Sequence, residues 1–101
     1  MPEVGDDDIR AAILFKLYNL GKWGGSYTAF ENLKKGFKPQ ELGKKGLRRV
    51  EDCAEDLIKE GLILSKPTGY GLHVSLNPRK HQEIHRVVQE YVNVKRHLPS
   101  E

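Results

Sequence analysis

The chain has 101 residues, enough for one domain around one modest core. Its 17 Lys and Arg outnumber its 14 Asp and Glu, a formal net charge of +3 that suits a polyanionic partner without demanding one. The single cysteine, Cys53, excludes an internal disulfide framework, and no apolar run approaches the roughly 20 residues that span a bilayer.

In chain order, residues 1–7 read as an acidic tail without the apolar segment of a secretory signal, so a soluble cytoplasmic protein is expected. The first helix is expected to start after Asp6, Asp7 and Asp8, which offer N-cap and first-turn acids. Ile9, Ala12, Ile13, Leu17 and Leu20 mark one face at helical spacing, and Ala11, Leu14, Phe15 and Tyr18 make a second apolar face. The helix ends near Gly21, and Trp23-Gly24-Gly25-Ser26 is a loop with room for a short strand. Thr28-Ala29-Phe30-Glu31 has the pattern of a capping box, opening a short helix with Phe30 and Leu33 that Gly36 stops. Phe37 to Leu42 is a connector, with Lys38 biased away from helix by Pro39.

Gly43 to Asp56 reads as one helix whose charges oppose its dipole. Lys44, Lys45, Arg48 and Arg49 stand at its start, and Glu51, Asp52, Glu55 and Asp56 on its later turns. A helix dipole favours the reverse by roughly 0.3–1 kcal/mol per charge, so a partner explains the pattern better than helix stability does. Leu47, Val50, Ala54, Leu57 and Ile58 form the apolar stripe, and Gly61 ends the helix. Leu62 to Leu64 and Leu72 to Leu76 read as two strands. In the second, Leu72, Val74 and Leu76 point inward and His73 and Ser75 outward. Lys66 to Gly71 between them is a turn-rich tip. Asn77 caps a last helix with Pro78 at its first position and Ile84, Val87, Val88, Tyr91 and Val92 on its apolar face. Residues 94–101 read as a flexible tail.

The order is helix, short strand, helix, helix, β-hairpin, helix: an α+β fold, mainly α. It resembles the winged helix-turn-helix over residues 8–93. The resemblance is strongest where Ala54 to Ile63 runs from a recognition helix into the first wing strand. Thr68 to Pro78 is similar to the wing of small archaeal winged-helix proteins. The resemblance implies DNA binding, with the third helix in the major groove and the wing beside it. The connector from Gly36 to Gly43 is longer than the 3–4-residue turn of a tight helix-turn-helix.

The candidate nucleic-acid contacts follow. Arg48 and Arg49 would read or clamp the major groove, since Arg bonds a guanine edge bidentately. Lys38, Lys44, Lys45 and Lys66 would hold phosphates, and Tyr70 and His73 would serve the wing. Leu14, Phe15, Tyr18, Tyr91 and Val92 are apolar surplus that a homodimer would bury. His81 and His85 lie four apart on one helix face, a spacing that can bind zinc, but two ligands alone assign no metal and no cofactor is expected. Cys53 is expected as a buried thiol whose pKa its acidic neighbours raise. With no activated nucleophile, phosphate loop or carboxylate pair, an enzyme is not expected. The reading is a DNA-binding transcription regulator. The alternatives are a protein-interaction module in a transcription, replication or RNA-processing complex, to which the acidic face Glu51, Asp52, Glu55 and Asp56 is suited, and RNA binding.

Overall fold

The computed structural model describes residues 5–37, 46–69 and 71–97. Helix α1 (Asp6–Leu20) is followed by the short strand β1 (Thr28–Ala29) and helix α2 (Phe30–Lys34). Helix α3 (Arg48–Lys59) leads into strands β2 (Ile63–Thr68) and β3 (Gly71–Leu76), and a 3-10 turn (Pro78–Lys80) opens helix α4 (His81–His97). The result is a mainly helical α+β fold with one three-stranded antiparallel sheet in the order β1-β3-β2. Among the described residues no helix is long and apolar enough to cross a membrane.

α1 lies against both α3 and α4, and this accounts for its two apolar faces. Ile9, Ile13 and Leu17 enter the core with Val50, Ala54 and Leu57 of α3, the strand residues Ile63, Val74 and Leu76, and Ile84 and Val88 of α4. The second face is the seat of α4. Phe15 meets Tyr91 with ring centres 5.2 Å apart, and the Tyr18 hydroxyl lies 2.9 Å from Nδ1 of His85. Only Leu20 of the expected stripe stays outside, 55% exposed at the helix end.

Two glycines end helices because the chain must turn left-handed there. Gly21 (φ 67°) lets Lys22 N–H donate to the Leu17 carbonyl at 3.1 Å, and Gly61 (φ 80°) lets Leu62 N–H donate to the Leu57 carbonyl at 3.0 Å. The turn at Gly61 aims the chain directly into β2. Asn77 reinforces it, donating from Nδ2 to the Gly61 carbonyl at 2.8 Å while its Oδ1 accepts from Arg79 N–H at 3.0 Å.

Several local expectations yield to tertiary pairing. Thr28 does not cap α2. Thr28 and Ala29 pair with Val74 and His73 of β3, so α2 starts at Phe30 without a side-chain cap, and the Thr28 hydroxyl accepts from Asn32 at 3.4 Å instead. The hairpin tip is shorter than expected, because Lys66, Pro67 and Thr68 stay in register with His73, Leu72 and Gly71. β2 lies at the sheet edge, where a proline costs no ladder bond. Ser75 points to the outer face but is 0% exposed, because the loop after α1 covers it and its hydroxyl donates to the Gly24 carbonyl at 2.7 Å. α1 begins at Asp6, ahead of the expected boundary, and Gly5 rather than an aspartate stands at its N-cap. α4 runs on through His97, so residues 94–97 belong to the helix rather than to a tail.

Leu57, 0% exposed and central to the core, sets the stability test. Leu57→Ala is expected to cost about 2–5 kcal/mol in urea unfolding, and Leu20→Ala no more than about 0.5 kcal/mol.

Candidate nucleic-acid interface

α3 places one basic side chain of the expected cluster in solvent. Arg48, its first residue, is exposed. Arg49, one residue and 100° on, is turned back to the domain and pairs with Asp6 in the first turn of α1 at 2.9 Å, its side chain 14% exposed. Lys38, Lys44, Lys45 and Tyr70 lie outside the described residues.

The reversed charge of α3 finds much of its answer inside the chain. Arg49 is met by Asp6, and Glu51 accepts from Lys34 of α2 at 2.8 Å. Lys34 also reaches Glu31 at 3.1 Å, and the hydrogen bonds it donates to Glu51 first and Glu31 second raise its pKa. Beyond the helix end, Glu60 pairs with Arg10 of α1, and that hydrogen bond lowers the Glu60 pKa. These pairs fasten α3 to α1 and α2 and withdraw Lys34 and Arg49 from the basic field that the sequence suggests.

The solvent face of α3 is consequently acidic. Its exposed residues are Arg48, Glu51, Asp52, Glu55, Asp56 and Lys59, four acids to two bases. The bases stand at the two ends and the acids between them. This helix can offer a polyanion its N-terminal end far more readily than its length.

The hairpin supplies a second basic point. Lys66 and His73 are directly opposed across β2 and β3, so both project from the same face. The Lys66 ammonium lies 5.7 Å from the ring centre of Tyr27, within cation–π range, and His73 Nδ1 is 3.3 Å from the Thr68 hydroxyl. Tyr27 was not legible as part of this group. It belongs to no motif, and only the pairing of β1 with β3 brings it under Lys66.

The residues expected at a dimer interface are used within the protomer. Leu14 is 1% exposed and part of the core, so it cannot meet a second copy. Phe15, Tyr18 and Val92 are partly buried and packed against the core, and Tyr91 is partly buried against Phe15. The apolar surplus of α1 and α4 is largely the contact between these two helices.

Cys53 lies in the core side of α3 with Sγ 3.8 Å from the Asp6 carbonyl oxygen. Burial first, then the Asp6 carboxylate, pushes its thiol up to about 11. Relative to an ordinary cysteine, this lowers the thiolate population roughly a hundredfold near neutral pH. Labelling with a disulfide reagent at pH 8 is therefore expected to be at least that much slower in the folded protein than in urea. Equal rates would place the thiol in solvent.

No protein-family model matches the chain, and no curated protein or solved structure matches it either.

Proposed function

We propose that the chain is a winged helix-turn-helix domain that binds double-stranded DNA, in the role of a cytoplasmic transcription regulator. The element order, with a short strand and a hairpin in one sheet before a last helix, supports the fold. The observation that carries the function is the polarity of α3, an exposed Arg48 at its leading end and exposed acids from Glu51 onward. In this reading α3 enters the major groove end-on, Arg48 meets base edges or phosphate, and the hairpin sets Lys66 and His73 on the backbone beside it. Arg49 orients α3 through Asp6 rather than reading bases.

Fluorescence anisotropy with duplex DNA, single strands and duplex RNA over a salt series tests the reading. Arg48→Ala is expected to cost about 1–3 kcal/mol on a preferred duplex. Lys66→Ala is expected to weaken all duplexes alike and to flatten the salt slope by about 1. Arg49→Ala is expected to cost about 1 kcal/mol or less of fold stability and to leave sequence preference unchanged. No duplex binding at low salt rejects the proposal, and tighter binding to RNA replaces DNA with RNA.

A second reading has its own observation. Asp52, Glu55 and Asp56 make an exposed acidic surface on α3, suited to a basic protein partner within a transcription, replication or RNA-processing complex. The variant Asp52→Asn/Glu55→Gln separates the two. End-on DNA entry predicts little change in DNA affinity. A large gain means that α3 lies along the duplex. Loss of binding to a basic partner, with DNA affinity negligible throughout, favours the protein-interaction module.

A further inference from the structure

Four rings close a circuit where α1, the loop after it and α4 meet. Trp23 and His81 have ring centres 5.1 Å apart, His81 and His85 6.1 Å, His85 and Tyr18 5.9 Å, and Tyr18 and Trp23 5.9 Å. The two imidazoles are exposed, lie within 5° of parallel, and take no part in the proposed DNA contacts. We propose that His81 and His85 form a site for a divalent first-row transition-metal ion of the zinc, nickel or copper class, completed by water.

The spacing puts both side chains on one helix face, four residues apart. Separation is the next requirement. A metal ion about 2.0–2.1 Å from each imidazole nitrogen holds ring centres about 5 Å apart at a tetrahedral angle; these stand at 6.1 Å and nearly parallel, so a rotation of the two exposed side chains brings their lone pairs onto one ion. The third requirement is a lone pair directed outward. The Tyr18 hydroxyl lies 2.9 Å from His85 Nδ1. When Nδ1–H donates to that oxygen, the free lone pair resides on Nε2. This outer hydrogen bond is the kind that orients metal-binding histidines and sets their tautomer. Trp23 packs against the His81 ring and restrains its rotation. Imidazole donors select zinc, nickel and copper over magnesium and calcium, which require oxygen. Among the described residues no group of three or more His, Cys, Asp or Glu converges on one point, so the site has two protein ligands and binds an exchangeable ion.

Trp23 is the only tryptophan and touches the site, so its fluorescence reports occupancy. Titration of the full chain with Ni²⁺ is expected to give saturable quenching that Zn²⁺ competes away and Mg²⁺ does not. His81→Ala and His85→Ala should each remove the saturable phase. His85→Gln, which keeps a hydrogen-bonding partner for Tyr18, should remove it too, and His73→Ala should leave it intact. Tyr18→Phe keeps the packed ring and loses only the hydroxyl, so affinity should fall about 10-fold or more. Circular dichroism melts verify that each variant is folded. Absence of saturable quenching, or quenching that survives loss of both histidines, overturns the site. Unchanged affinity in Tyr18→Phe overturns the orienting role of the hydroxyl.

Discussion

α1 is apolar on two faces, and the rest of the domain is arranged by the need to cover both. One flank takes α3 and the sheet, the other takes α4, so a helix of about four turns lies near the centre of a small protein rather than on its surface. Ile13 and Leu17 are fully buried, and their burial removes from water side chains worth about 1.5–3 kcal/mol each. The polar residues of α1 then act at its margins. Asp6 and Arg10 grip the two ends of α3, and Tyr18 grips His85 of α4. A shift of α1 would disturb the core, the tilt of α3 and the ring circuit together.

Those margin contacts are worth little as stability. An exposed ion pair contributes about 0–1 kcal/mol, so Arg49 with Asp6 and Lys34 with Glu51 are better understood as position-setting. Their larger effect is on what α3 shows to solvent. Each pair hides a base and leaves the intervening acids exposed. The helix presents a cation at its first residue, a run of carboxylates behind it, and Lys59 near the end. That distribution decides how a nucleic acid could approach. It opposes a duplex along the helix and permits one at the tip, where the dipole also attracts phosphate. The same distribution suits the side of α3 to a basic protein surface, and this is why the two functional readings share one helix.

The ring circuit is separate from that question. It arises where the end of α1 and the start of α4 meet, held by the chain reversal at Gly21 and the bridge between Trp23 and Leu76. Its histidines are solvent-facing, while the residues that orient them belong to other elements. A site built in this way takes its ligands from one helix and the contacts that orient them from elsewhere in the fold.

Much of the fold was legible in the residues themselves. The 3.6-residue spacing of Ile9, Ile13 and Leu17 and of Val50, Ala54 and Leu57 marks α1 and α3, because the interior admits only apolar side chains and each helix shows it one stripe. Gly21 and Gly61 mark ends that need positive φ, and Asn77-Pro78 marks the turn into α4. Tertiary structure alone decided matters that involve residues distant in the chain. Thr28 became a strand residue because β3 offered it a ladder, outweighing the local capping pattern. Leu14 became part of the core and Phe15 met Tyr91, because α4 folded onto α1. Arg49 left the candidate site for Asp6, 43 residues away, while Arg48 stayed exposed. Charge and spacing along a chain say which residues could face a ligand. Only the packing of one helix on another decides which are already paired, because an ion pair needs two groups within a few ångströms and sequence order carries no such distance.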